Sequence, residues 1–189
     1  MDNINLQFYI VSQIFGILTL ASFFTAMQIK NKTNHLIFMA SGSIFGSAMY
    51  FFLGMQFLSS IWFIGFFRSL SFAWVNSNRE KIPKNISLIV LMFFVSVLII
   101  TTAITFQSWI DWAIITVSLG NVVTAWMKGY IHLMRFFIIL KAIFVIIVNI
   151  NNNAVNIMGI IIELNYLIGI IIFYIRYFKN YYKNKENSK

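Results

Sequence analysis

At 189 residues, with 60% hydrophobic and 10% charged residues, one proline and no cysteine, the chain lies outside the composition of soluble globular domains. Its mean hydropathy of +0.82 excludes a water-soluble fold, and the lack of cysteine excludes disulfides, thiolate metal sites and cysteine nucleophiles. The formal net charge of +9 comes from basic residues at the ends of apolar blocks rather than on one soluble face, which argues against nucleic acid as a partner and for the lipid bilayer.

Where no water reaches the backbone, amides must bond within their own segment, and unbroken apolar runs select helices over barrel strands of period two. About 20 residues at about 1.5 Å each cross a hydrocarbon core about 30 Å thick. The spans predicted in chain order are 6–28, 36–53, 57–76, 86–106, 112–127, 131–149 and 154–177. The first is read as a retained span rather than a signal peptide, because residues 1–12 hold Asp2 and no lysine or arginine. The fifth is the shortest and borders the sixth across Lys128, Gly129 and Tyr130, which keeps a six-span alternative open. Residues 178–189 read as a basic tail, with Tyr174, Tyr177, Tyr181 and Tyr182 at the membrane boundary.

Alternate connections differ sharply in charge. One set carries Lys30 and Lys32, then Arg79, Lys81 and Lys84, then Lys128 with Arg135 nearby, then Arg176 onward. The other carries Asp2, the Gly54-Met55-Gln56 turn, Asp111, and Asn151 to Asn153. By the positive-inside rule the basic set is cytoplasmic, so the N-terminus is outside, the C-terminus inside and the span count odd. The expectation is an all-α, polytopic bundle of seven spans in one transmembrane domain, 1–177, within a bacterial inner membrane. Asn31-Lys32-Thr33 and Asn85-Ile86-Ser87 match a glycosylation pattern, but both fall on the side read as cytoplasmic and are taken as chance.

Spans one to three and five to seven form two triplets around the fourth, and a single intervening helix gives them the same orientation, a parallel 3+1+3 repeat. Sliding the chain on itself pairs Gly16 with Gly120, Leu36 with Leu133, and Arg68 with Asn165.

Tyr50-Phe-Phe-Leu-Gly54 followed by Arg68 and Ser69, and then Lys128-Gly129, Met134-Arg135, Asn149 and Glu163 in order, resemble the motifs of the YgjV family of bacterial inner-membrane proteins. That resemblance covers most of the chain and carries no firm activity with it. The organisation is more distantly similar to the SWEET and PQ-loop transporters, which implies passage of a small solute between two three-helix bundles. Their proline hinge has no counterpart here, since the one proline, Pro83, lies in a connection.

Three ionisable residues fall near mid-depth: Arg68, Lys141 and Glu163. Each costs about 2.5–3.5 kcal/mol at a helix centre on insertion scales, so they are expected to face the bundle interior. One reading is a polar midplane site in which Arg68 or Lys141 contacts a small polar or anionic solute while Glu163 balances charge or carries a proton. The other is a structural charge cluster that fixes helix packing. On the seventh span Asn156, Gly159, Glu163 and Tyr166 share a face, with Asn165 pointing elsewhere. On the fifth, Ser118, Asn121, Thr124 and Lys128 share another that leads toward the basic side.

Gly42 and Gly46 read as a close-approach motif between helices. Trp62, Trp74, Trp109 and Trp112 read as boundary residues in contact with lipid. His35 and His132 fall near the basic surface without metal-site spacing, and no nucleotide, dinucleotide or hydrolase motif occurs, so neither a cofactor nor an enzyme is expected. Two functions stand: a small-solute transporter or facilitator, and a non-transporting protein that stabilises or regulates a membrane complex. Self-association into a homo-oligomer is compatible with both.

Overall fold

A computed structural model describes residues 6–105, 109–127, 130–151 and 157–186. Among them the chain forms seven helices and no strand: α1 (Leu6–Gln28), α2 (Lys32–Phe52), α3 (Gln56–Ser77), α4 (Lys84–Thr105), α5 (Trp109–Trp126), α6 (Ile131–Asn151) and α7 (Ile157–Glu186). Six of these, all but α5, are long and apolar enough to cross a membrane. The chain is a multi-pass membrane protein.

Two boundaries differ from the sequence reading for local reasons. Helix α2 begins at Lys32 rather than near Leu36, because the Asn31 side chain caps it, accepting from the amides of Thr33 at 2.9 Å and Asn34 at 3.2 Å. The polar stretch Lys32 to His35 is thus a helical turn, and Asn31 has a structural task. Helix α7 continues past the expected tail boundary at 177 to Glu186. No glycine or proline follows Gly169 to stop it, and continuing keeps each amide bonded within the helix.

Successive helices pack against each other in chain order, α7 returns to pack on α1, and α3 also touches α5. Helix α4 offers a single buried stripe, Ser87, Leu91, Phe94, Leu98 and Thr102. Those spacings of three and four put the stripe on one face, while Ile89, Met92, Phe93 and Ile100 point outward. The turn between α2 and α3 rests on Gly54, whose φ of 73° is the left-handed conformation that costs glycine nothing.

Side-chain bonds gather alternate helix ends. Asn76 at the end of α3 donates to Thr33 at the start of α2 at 2.7 Å, and Trp126 at the end of α5 donates to the Ser87 hydroxyl of α4 at 2.6 Å. Lys32 donates to the Met127 carbonyl just past α5. Arg176 of α7 donates to Gln28 at the end of α1 at 2.8 Å. At the opposite end Asn149 of α6 donates to the Tyr50 hydroxyl of α2 at 3.4 Å. The helices therefore alternate in direction, and Lys30, Lys32, Arg79, Lys81, Lys84 and Arg176 collect at one end.

Gly42 and Gly46 lie on α2, which packs closely against both α1 and α3, as a close-approach motif would. They are notches for aromatic rings from either side: a Cβ on Gly42 would strike Phe23 of α1, and one on Gly46 would strike Trp62 of α3. Below them Ser47 and Ser59 exchange hydrogen bonds, each hydroxyl donating 2.9 Å to the other's carbonyl across the α2–α3 interface.

Candidate functional site

Six helices contribute to one interior cavity of about 30 Å³. Helix α3 places Ile61, Gly65 and Arg68 on it, α5 places Ser118 and Asn121, α6 places Ile138 and Lys141, and α7 places Glu163 and Tyr166. Each set is spaced by three or four residues, so each helix presents one face. Met39 and Ser43 of α2 and Leu98 of α4 complete the wall. A cavity needs roughly 10–15 Å³ per enclosed water, so this one has room for about two. A larger solute requires the helices to part.

The expected residues Arg68, Lys141, Glu163, Tyr166, Asn121 and Ser118 all meet here. Asn156 and Lys128 lie outside the described residues. Thr124, on the same stripe of α5, spends its hydroxyl on the Gly120 and Asn121 carbonyls at 2.9 and 3.1 Å, and is not among the lining residues. Asn165 points to α1, where its amide is 3.4 Å from the Leu20 carbonyl.

The electrostatics explain why these groups stay together. Lys141 lies between the other two charges, attracted by Glu163 and repelled by Arg68. Lys141 also lies 4.7 Å from the centroid of the Trp62 ring, a cation–π contact. Arg68 Nε and Glu163 Oε1 are buried without a hydrogen-bond partner among the described residues. Polar groups so placed are costly unless water or a ligand satisfies them. The arrangement is therefore a preformed polar site with an excess of positive charge, held by apolar packing.

That packing contains a residue misread from sequence. Trp62 is no boundary residue: it is 3% exposed, seated on Gly46, and 5.1 Å from the Phe23 ring. Its position early in α3 suggested an interface, but the glycine notch on α2 draws it into the core. Phe23 stacks on Tyr166 at 4.4 Å, which fixes that phenol at the cavity wall. Tyr50, 5.8 Å from Trp62 and in electrostatic contact with Glu163, extends the network toward Asn149.

A further buried cation was not foreseen. Arg135 is 0% exposed although it lies one turn into α6, and its guanidinium carbon is 3.4 Å from the centroid of Phe173 on α7. None of its three nitrogens has a hydrogen-bond partner among the described residues. His35, expected near the surface, is likewise 0% exposed. Guanidinium over an aromatic face is worth about 0.5–2 kcal/mol, whereas taking an ion out of water costs several kcal/mol even after relaxation. Phe173 therefore offsets only part of the cost.

Compared with protein-family models, with curated proteins and with solved structures, the chain matches none of them.

Proposed function

We propose that the protein is a small-solute transporter or facilitator whose midplane cavity is the solute site, seen closed. The observation that carries this reading is the convergence of Arg68, Lys141 and Glu163, from three different helices, on one water-sized cavity. Charges inside a membrane are expensive and mark solute or ion pathways by default. Two cations and one carboxylate on the cavity wall favour an anionic or polar solute, with Ser118, Asn121 and Tyr166 as hydrogen-bonding partners and Glu163 as the balancing charge.

The pattern of helix contacts supports a two-bundle organisation. If α1 to α3 correspond to α5 to α7, then α1 on α2 corresponds to α5 on α6, α2 on α3 to α6 on α7, and α1 on α7 to α5 on α3; all six contacts occur. The fourth helix packs chiefly on α3 and α5, as a linker would. In this reading α5, about 27 Å long at about 1.5 Å per residue, is a seventh and short span. The basic end faces the cytoplasm of a bacterial inner-membrane protein akin to the YgjV family.

The test is uptake into proteoliposomes of a panel of labelled organic anions and neutral polyols. Arg68→Ala and Glu163→Ala are each expected to abolish uptake of the solute that wild type carries. Uptake unchanged in both variants removes the trio from the mechanism.

A second reading is favoured by one observation, the cavity's small volume: the trio fastens the helices together and the protein supports a membrane complex without transporting. Replacing Arg68 and Lys141 by methionine together with Glu163→Gln separates the two. A structural cluster tolerates wholesale apolar replacement; a carrier keeps its fold and loses uptake.

A further inference from the structure

Beyond the midplane cavity, the basic end of the bundle holds charge that the carrier reading does not use. Arg135 of α6 and His35 of α2 are wholly buried and interact electrostatically, and Lys32 adds a further positive charge beside His35. Arg135 lies about 9 Å along the axis of α6 from Lys141, at about 1.5 Å per residue, so the two positions are separate sites.

The hydrogen-bonding character of the pair is specific. The guanidinium offers a fork of donors and no acceptor, and each of its nitrogens is without a partner among the described residues. His35 Nδ1 is 2.7 Å from the Ala26 carbonyl, which can only accept, so Nδ1 carries the proton. Nε2 then presents a lone pair, also buried and without a partner among the described residues. A carboxylate would satisfy the fork and leave Nε2 unmet, since it has no hydrogen to give. An oxyanion that also bears a hydroxyl satisfies both.

We propose that Arg135 and His35 form a binding site for a hydroxyl-bearing phosphate anion, with the guanidinium on the phosphate oxygens and the hydroxyl donating to His35 Nε2. Inorganic phosphate and the headgroup of phosphatidylglycerol share this chemistry. Basic pockets between helices at the membrane surface are suited to phosphate headgroups. At the same end α7 is fastened to α6 by His132 and Tyr174 at 3.1 Å and to α1 by Arg176 and Gln28 at 2.8 Å, both exposed side-chain contacts. Gln28 Nε2, buried and without a partner among the described residues, is a further donor at that flank.

The test uses the full-length chain in nanodiscs. Lipid retention is read by native mass spectrometry with phosphatidylglycerol or the donor-free phosphatidylmethanol in a phosphatidylcholine background, and ion binding by titration with inorganic phosphate or sulfate. Wild type is expected to prefer phosphatidylglycerol over phosphatidylmethanol, or phosphate over sulfate; the first result assigns a lipid, the second a soluble anion. Arg135→Met is expected to weaken that binding at least about tenfold, the loss of a charge-assisted pair. Lys81→Gln, which removes a surface charge at the same end, and Arg68→Met in the midplane cavity leave it unchanged. His35→Leu abolishes the preference for the hydroxyl-bearing partner. Should Arg135→Met fail to fold, Arg135→Lys, which keeps the charge and loses the fork, carries the same expectation. Wild type that binds neither probe, or an Arg135 variant that binds as wild type does, overturns the proposal, whatever the outcome of the uptake assays.

Discussion

Replacing Gly42 by alanine tests whether the aromatic core sets the geometry of the cavity. A Cβ there would lie 2.7 Å from Phe23 Cζ and closer still to Cε1 and Cδ1. Ordinary carbon contacts begin near about 3.5 Å, so the ring must retreat by about 1 Å. It cannot retreat freely, because Trp62 at 5.1 Å and Tyr166 at 4.4 Å hold its other faces and it is fully buried. Overpacking of this kind costs about 1–3 kcal/mol, and alanine's better helix propensity returns at most about 1 kcal/mol. The expected net loss for Gly42→Ala is about 1–2 kcal/mol. Phe23→Leu alone is also destabilising, but it removes the atoms that clash, so the double variant should lose at least about 0.5 kcal/mol less than the sum of the singles. Unfolding of the purified protein in mixed micelles, followed by tryptophan fluorescence, measures all four species. Additive losses would refute the seating of Phe23 on Gly42.

Glu163→Ala leaves the buried Lys141 without its carboxylate and is expected to cost about 3 kcal/mol, near the lower limit for breaking a buried charge pair. Adding Lys141→Met should recover part of that in the same unfolding assay. On α5, Asn121→Leu is expected to abolish uptake while Thr124→Val leaves it within twofold, since the Thr124 hydroxyl is engaged with its own helix. Because the chain has no cysteine, single substitutions Lys81→Cys and Gln56→Cys report topology. An impermeant thiol reagent added outside intact cells should label the second and spare the first, and the reverse pattern would invert the proposed orientation.

The gathering of Arg68, Lys141 and Glu163 on one interior cavity was legible from sequence because a charge in the middle of an apolar run has only the bundle interior to go to. Arg68, Lys141 and Glu163 follow that logic, and helical spacing added Ser118, Asn121 and Tyr166. Arg135 escaped it. One turn into a span, an arginine reaches the interface by extending its side chain as readily as it enters the core, and here Phe173 on a helix distant in sequence decided the matter. Trp62 was misread for a related reason, since the notch at Gly46 that receives it lies on another helix. Spacing shows that a notch exists but not whether a backbone or a ring fills it. The Asn31 cap, in contrast, is local and could have been found by asking which side chain satisfies the first amides of the second span.

If the protein is a carrier, its two halves are not equally able to move. Helices α1 to α3 are locked by the Ser47–Ser59 exchange and by rings seated in glycine notches from both sides of α2. That half lines the cavity mainly with apolar groups and Arg68, whereas α5 to α7 supply most of its polar side chains, Ser118, Asn121, Lys141, Glu163 and Tyr166. Opening the cavity then means rocking the second half against a rigid first half, and the contact that must slide is α7 on α1, where a Cβ on Gly16 would touch Met158. Paired cysteines test this directly. A disulfide between Gly16→Cys and Met158→Cys should stop uptake until it is reduced, and one between Ser47→Cys and Ser59→Cys should leave uptake intact. Transport that persists through the first cross-link, or fails with the second, would place the moving interface elsewhere.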